Sequence, residues 1–147
     1  MHYKAIDISK YIINKCIRIG KPISNLKLQK ILYYAQGEYL KIKNKRLFKD
    51  DIYAWDYGPC VNIIYYKFIN YATSDIRDVQ QEETEISKKD KKIIDIAINK
   101  CIDLSTWKLV ENSQNESPWK KAYNPKMKNI ISKKLLKKHF CKVKQEV

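Results

Sequence analysis

The sequence predicts a mainly α-helical fold, a compact single domain of about six helices with one or two short β segments. Apolar residues recur at helical spacing along most of the 147-residue chain, as amphipathic helices packed on a core require. A chain of this length buries roughly two-thirds of its unfolded surface. Its three glycines and four prolines are too few for long disordered linkers. We therefore expect residues 1–147 to form one domain.

The first predicted helix starts at Asp7 or Ser9 and stops at Gly20 and Pro22. A glycine followed by a proline is the usual order beyond a helix C-terminus. The apolar stripe of this helix consists of Ile8, Tyr11, Ile12, Cys16 and Ile19.

The second helix is predicted to follow Ser24 as its N-cap and is apolar on two sides. One face carries Leu28, Ile31, Leu32, Ala35, Tyr39 and Ile42, and the opposite face carries Leu26, Tyr33, Tyr34 and Gly37. Inside a helix Gly37 costs about 1 kcal/mol relative to alanine, which is understandable if another segment approaches the backbone closely there. We therefore expect a central helix that is contacted on both sides.

An extended segment is predicted at residues 47–55, which partly alternate in hydrophobicity and are rich in aromatic residues. A single strand is not stable alone, so this one must pair elsewhere or lie across helices. Pro59 suits the first position of a further helix. The stripe of that helix would consist of Val61, Ile64, Tyr65 and Phe68.

Acidic residues gather at residues 72–86, where the helical periodicity fades. This predicts a mobile, solvated loop with a short strand near Ile76 and Val79. Ser87 with Asp90 three residues later resembles a helix N-terminus, and the apolar spacing after it predicts another helix.

Three shorter helices are predicted to follow. The first is capped by Asp103 or Ser105, and the second has Ser117 as its cap and Pro118 as its first helical residue. The third covers residues 130–140, with an apolar side made of Ile131, Leu135, Leu136, His139 and Phe140.

The formal net charge is +14, but only three of the 30 basic residues are arginine. Arginine is the side chain whose planar fork reads phosphate and guanine, and the abundance of Lys, Ile, Asn and Tyr is typical of an AT-rich coding sequence. The charge is nevertheless asymmetric, because residues 117–145 contain many lysines and no acid. A basic C-terminal tail is predicted at residues 141–147. Nucleic-acid binding through this lysine-rich third remains an alternative.

Catalytic motifs are absent from the sequence. It has no phosphate-binding glycine loop, no HExxH zinc motif and no nucleophile elbow, and its two histidines are His2 and His139. His139 with Cys141 makes too small a ligand set for zinc. Cys60 would be a reactive thiol at a helix N-terminus, but nothing supplies its base and a buried packing role is the stronger interpretation. We expect a protein that is not an enzyme and needs no cofactor.

The sequence also predicts a cytoplasmic protein without membrane contact. Its four cysteines, at positions 16, 60, 101 and 141, have no CxxC spacing, which fits reduced intracellular thiols. No apolar run approaches the roughly 18 residues of a membrane span, and the N-terminus lacks the apolar segment of a signal peptide.

A protein interface is the kind of site that the aromatic and polar side chains favour, because Tyr and Trp supply large contact area at small entropic cost. The candidate partner-binding residues are Lys27, Gln29, Lys30, Tyr33, Gln36, Trp55 and Tyr57. Spacing leaves open whether the two glutamines cap buried backbone groups or face a partner. Stacking of nucleobases on the aromatic side chains is a weaker alternative.

Several ordered motifs resemble the Panacea domain, the domain of SocA-like antitoxins and of phage-associated proteins of the GepA type. The motifs are NLKLQKILYYAQG at residues 25–37, LF at 47–48, IYAWDYGP at 52–59 and SPW at 117–119. The closing residues 130–140 resemble the C-terminal segment of that family.

The resemblance implies a small helical domain that binds and neutralises a toxin encoded beside it, or hands that toxin to a cellular protease. The sequence departs from the family pattern at Cys60, Asp103 and Gln114, where an aliphatic residue, a glycine and, in many members, a histidine are usual. An antitoxin that acts by direct protein contact is the leading hypothesis. A nucleic-acid-binding regulator is the alternative.

Overall fold

Seven α-helices and five short strands form residues 3–141, the part of the chain that the computed structural model describes. The helices are α1 (Ala5–Arg18), α2 (Asn25–Lys43), α3 (Asn62–Lys67), α4 (Lys88–Cys101), α5 (Thr106–Gln114), α6 (Ser117–Ala122) and α7 (Lys133–Phe140). The strands are β1 (Ile23–Ser24), β2 (Ile52–Trp55), β3 (Gly58–Cys60), β4 (Asp75–Ile76) and β5 (Ile130–Ile131), and a 3-10 helix spans Ile69–Tyr71. The predicted fold class is confirmed. His2 and residues 142–147, most of the predicted basic tail 141–147, lie outside the described residues.

The long helix α2 lies at the centre of the fold. Ser24 is its N-cap, as predicted, and the Ser24 hydroxyl accepts a hydrogen bond from the Lys27 N–H at 3.2 Å. The helix packs against α1, α4, α5 and α7 and against the strands β1 and β3. Buried residues come from both predicted faces and include Leu28, Leu32, Tyr33 and Gly37. The prediction of a helix contacted on both sides is therefore confirmed.

Gly37 lies at a close approach between α2 and α7. A Cβ atom added to Gly37 would lie 2.4 Å from ring carbons of Phe140, well inside the separation at which nonbonded carbons attract. The Phe140 ring also packs edge-on against Tyr33 and Tyr34, with ring centroids 5.4 and 6.2 Å apart. The absence of a side chain at Gly37 thus makes room for α7, and the predicted close approach is confirmed.

Gly37→Ala is expected to lower the free energy of unfolding by about 1–3 kcal/mol, because the new methyl group overpacks the contact with Phe140. Urea denaturation measures this change. A double-mutant cycle with Phe140→Ala provides the control, since the extra methyl group has room once the ring is removed. If Gly37→Ala instead stabilises the protein by the roughly 1 kcal/mol that alanine gains in an open helix, the close contact is wrong.

The helix α1 begins at Ala5 rather than at the predicted Asp7. Its N-cap is Lys4, whose N–H donates to the Asp7 carboxylate at 3.2 Å, and the Ala5 N–H donates to Asp50 at 2.8 Å. Asp50 comes from a distant segment, so local spacing could not indicate the earlier start. Gly20, with a φ of 75°, follows the helix C-terminus as predicted.

The predicted extended segment is a strand only over β2, which pairs antiparallel with both β3 and β5. Pro59 does not start a helix, contrary to the prediction: it lies in β3 opposite Ala54. Because β3 is an edge strand, a residue without an N–H is tolerated there. On the other side of β2, Ile131 pairs with Ile52, which joins the C-terminal third of the chain to this hairpin.

The acidic residues 72–86 include β4, which pairs antiparallel with β1 so that Ile76 lies opposite Ile23. Farther along, the Gln80 N–H donates to the Asn14 side chain at 2.7 Å. Residues 77–87 have no regular secondary structure. The mobility of this loop stays a prediction.

Two predicted helix starts in the C-terminal third are wrong. The N-cap of α6 is Glu116 rather than Ser117. The predicted helix over residues 130–140 divides into β5 and α7, and Ser132 caps α7 by accepting a hydrogen bond from the Leu135 N–H at 3.1 Å. Pairing with β2 decides this division, and helical spacing carries no sign of it.

Two other serine caps are confirmed. Ser87 caps α4 by accepting from the Asp90 N–H at 3.2 Å, and Ser105 caps α5 by accepting from the Lys108 N–H at 3.1 Å.

None of the helices in residues 3–141 combines the length and the apolar character that a membrane span requires.

Candidate partner-binding site

A surface cavity of about 780 Å³ lies where the β2–β3 turn, the start of α2 and the loop before β5 come together. We call it the aromatic cavity, because aromatic and other large side chains make up much of its wall. The wall includes Trp55, Tyr57, Tyr65, Trp107, Met127 and Lys128. Of the seven residues predicted to bind a partner, Lys30, Trp55 and Tyr57 line this cavity.

Tyr57 occupies the turn between β2 and β3 and is 58% exposed. The next residue, Gly58, has a φ of 98°, which favours glycine, and an added Cβ would lie 2.7 Å from the Ser113 hydroxyl. The Tyr57 ring packs edge-on against Trp107, with ring centroids 5.5 Å apart. Trp107 is itself 62% exposed, so the two rings form an accessible part of the cavity wall.

Three hydrogen bonds from the C-terminal third hold the β2–β3 turn in place. The Trp119 indole donates to the Trp55 carbonyl at 2.7 Å, and the Gln114 amide donates to the Asp56 carbonyl at 2.7 Å. The Tyr123 hydroxyl donates to the Asp56 carboxylate at 2.7 Å. The SPW motif therefore acts on the IYAWDYGP motif directly, because its tryptophan anchors the turn that carries Tyr57.

Trp55 forms the centre of an aromatic cluster beside the turn. Its ring packs edge-on against Tyr65 and Tyr66, with centroids 5.1 and 6.0 Å apart. The ammonium group of Lys128 lies 4.9 Å from the centroid of the Trp55 ring, a cation–π distance. The Trp55 Nε1 atom is buried and has no hydrogen-bond acceptor in the described part of the chain.

Lys30 borders the aromatic cavity and is fully buried. Its ammonium group donates one hydrogen bond, to the Pro59 carbonyl at 2.9 Å. Burial lowers the pKa of Lys30 to about 8, because a charged amine loses hydration in the interior. No carboxylate among residues 3–141 pairs with it. An ammonium group has three donors, so two of them lack an acceptor.

Gln29 and Gln36 are buried and bond to backbone groups. The Gln29 side chain accepts from the Val61 N–H at 2.9 Å. The Gln36 side chain accepts from the Leu47 N–H at 2.6 Å and donates to the Phe48 carbonyl at 2.8 Å. The two amides thus fix the segments on either side of the β2–β3 hairpin to α2. Any contact of their side chains with a partner stays a prediction.

Lys27 and Tyr33 also bond within the protein and lie outside the aromatic cavity. The Lys27 ammonium group donates to the carbonyls of Ile102 and Leu104 at 2.9 and 2.7 Å, where α4 ends. The Tyr33 hydroxyl donates to Glu116 at 2.7 Å, and burial raises the pKa of Tyr33. Their partner-binding role likewise stays a prediction.

The groups considered for chemistry lie apart. Cys60 is buried in β3 rather than at a helix N-terminus, and burial raises the pKa of its thiol to about 12, which keeps the thiol protonated. His139 Nε2 lies 3.8 Å from a Glu116 oxygen, and Cys141 Sγ lies 3.7 Å from the Leu40 carbonyl. Within residues 3–141, no three potential metal ligands converge.

Sequence reasoning missed several residues of the aromatic cavity. Trp107 lies in α5 with Leu109, yet residues two positions apart differ by about 200° around a helix, and of these two residues only Leu109 is buried. That angle is the signal that identifies Trp107 as exposed. Met127, Lys126 and Lys128 lie in an irregular loop, where no periodicity marks them.

Comparison with known proteins supplies the family context. The profile of the family described as "Antitoxin SocA-like, Panacea domain" matches residues 28–120, which include most of α2, the β2–β3 hairpin and the SPW motif but not residues 130–140. The protein called Antitoxin SocA from Caulobacter vibrioides (strain NA1000 / CB15N) is 36% identical over 58 residues, which cover 40% of this chain and 31% of that protein. No solved structure matches the chain.

Proposed function

The chain belongs to the family of SocA-like antitoxins with a Panacea domain, and from this premise we propose that it neutralises a cognate protein toxin by binding to it directly. The resemblance predicted from the motifs is confirmed by the family match. The antitoxin role follows from the family. Direct contact, the identity of the contact surface and the fate of the toxin belong to the proposal.

The exposed aromatic cavity carries the proposal that the contact is direct. Interface residues that contribute most to binding are enriched in Trp and Tyr, and the Tyr57–Trp107 pair, with both residues more than half exposed, is accessible to a partner. The turn that presents Tyr57 is held by Trp119 and Gln114. A rigid aromatic surface loses little conformational entropy on binding.

Binding without turnover, in the cytoplasm, is the mode of action that we propose. Neutralisation by occlusion requires only that the complex forms. Delivery of the toxin to a cellular protease requires the same contact as its first step, so the aromatic cavity serves either outcome.

Co-expression with the product of the neighbouring gene tests the proposal. We expect that product to arrest growth when expressed alone and to be harmless with this protein present. A copy of the gene without its start codon is the matched control, since it makes the same RNA and no protein. A harmless neighbour, or arrest that persists in the presence of this protein, would contradict the proposal.

The level of the toxin in rescued cells separates the two modes. Occlusion leaves the amount of toxin unchanged, whereas delivery to a protease lowers it. Capture of the purified toxin by this protein shows whether the contact is direct, and failure of capture despite rescue would exclude direct binding.

A further inference from the structure

We propose that the aromatic cavity receives an acidic segment of the partner protein, in which Asp or Glu flanks an aromatic or aliphatic side chain. This inference rests on the proposed function, because it specifies the chemistry of the toxin surface that binds. It follows from the donors, the charges and the apolar wall of the cavity.

Two buried donor groups at the cavity are incompletely paired within residues 3–141. There, the Lys30 ammonium group bonds only to the Pro59 carbonyl, at 2.9 Å, and the Trp55 indole N–H has no acceptor. Buried polar groups are normally satisfied, so these two donors favour an acceptor from a bound ligand. Carboxylates provide acceptors without donors.

The charges around the aromatic cavity also favour an anion. Among residues 3–141, Lys30, Lys126 and Lys128 line it against a single carboxylate, that of Asp56, which accepts a hydrogen bond from Tyr123. Lys126 and Lys128 are exposed, and neither forms an ion pair with an acid in the described part of the chain. The charge of Lys30 lies in the protein interior, a medium that screens it less than water does.

The wall of the cavity also provides apolar contacts for the aromatic or aliphatic side chain of the proposed segment. Tyr57, Trp107 and Met127 are each at least 58% exposed and offer aromatic faces and a thioether to an apolar side chain. A cavity of about 780 Å³ accommodates a few side chains rather than one ion. A peptide segment that carries both carboxylates and an apolar side chain therefore fits this cavity better than a free anion does.

A pair of matched peptides tests the inference without the toxin. The probes are N-acetyl-Glu-Phe-Asp-amide and its neutral counterpart N-acetyl-Gln-Phe-Asn-amide, followed by NMR of the Trp55 and Trp107 indole signals. We expect the acidic peptide to bind at least about fivefold more tightly, with a preference that weakens as salt is added. Equal binding of the two peptides would overturn the inference. AMP serves as a third probe for the nucleic-acid alternative, and tighter binding of AMP than of the acidic peptide would also overturn the inference.

Lysine variants test whether the preference for the acidic peptide depends on the lysines of the cavity. Lys126→Glu/Lys128→Glu should abolish it, whereas Lys88→Glu/Lys89→Glu, the same charge change on exposed residues of α4, should leave it intact. Equal losses in both variants would mean that only the overall charge matters, which also overturns the inference. If wild-type protein fails to neutralise the toxin, the proposed function fails whatever the peptides do. If it neutralises but the peptides bind equally, this inference fails alone.

Discussion

Tyr57→Ala/Trp107→Ala is expected to weaken toxin binding by at least about 100-fold and to abolish rescue in co-expression. Both rings are more than half exposed and pack on each other, and two aromatic residues at the centre of an interface contribute about 2 kcal/mol or more each. Removing exposed side chains changes stability little. Titration calorimetry with the toxin and thermal unfolding of the free variant provide the two measurements.

A matched control removes exposed apolar side chains elsewhere on the surface. Val79→Ala/Ile96→Ala truncates side chains that are 74% and 38% exposed and lie outside the cavity lining, so it should bind as wild type does. Normal rescue by Tyr57→Ala/Trp107→Ala would exclude the aromatic cavity as the contact surface, whereas a lowered melting temperature would point to a packing role for the two rings.

Lys30→Met is expected to change the pH dependence of stability by roughly 2 kcal/mol between pH 7 and pH 10. Burial lowers the pKa of Lys30 from 10.5 in the unfolded chain to about 8. Between these values the unfolded chain holds a proton that the folded protein has released. Stability due to Lys30 therefore rises with pH across this window. This rise is absent in Lys30→Met, so the free energy of unfolding of the wild-type protein should increase relative to that of the variant as the pH increases.

Urea denaturation of both proteins at several pH values measures the difference. The buried thiols of Cys16 and Cys101, whose pKa values burial raises to about 11 and about 12, are the same in both proteins, and their effect cancels in the comparison. The thiol of Cys60 interacts electrostatically with Lys30, so both proteins also carry Cys60→Ala. Lys89→Met is the control, because Lys89 is exposed on α4. A difference between wild type and Lys30→Met that stays constant from pH 7 to pH 10 would contradict a desolvated ammonium group at this position.

Local signals predicted much of the helical framework correctly. The serine caps at positions 24, 87 and 105 depend on bonds to residues three positions away, and such bonds leave a mark in the sequence. Gly37 was informative because glycine destabilises a helix interior, and the close packing of the Phe140 ring explains why no side chain fits at this position. In both cases the sequence itself contains the physical cause.

The errors arose where distant segments decide the local structure. Pro59 lies in β3, and residues 130–131 form β5, because both strands pair with β2. Gln29 and Gln36 occupy the core because backbone groups of other segments need their amides. Residue type identified Trp55 and Tyr57 as candidates, whereas Lys126, Met127 and Lys128, which complete the aromatic cavity, lie in a loop that no periodicity marks.

The β2–β3 turn is anchored through its backbone, so the side chain at position 57 is not needed to hold it. Trp119 and Gln114 bond to the carbonyls of Trp55 and Asp56, and a backbone carbonyl is the same whatever side chain follows it. The side chain of residue 57 therefore takes no part in the two hydrogen bonds that hold the turn, and Tyr57 is exposed. If Tyr57 contacts the toxin as proposed, single substitutions at this position can change specificity while both hydrogen bonds are kept.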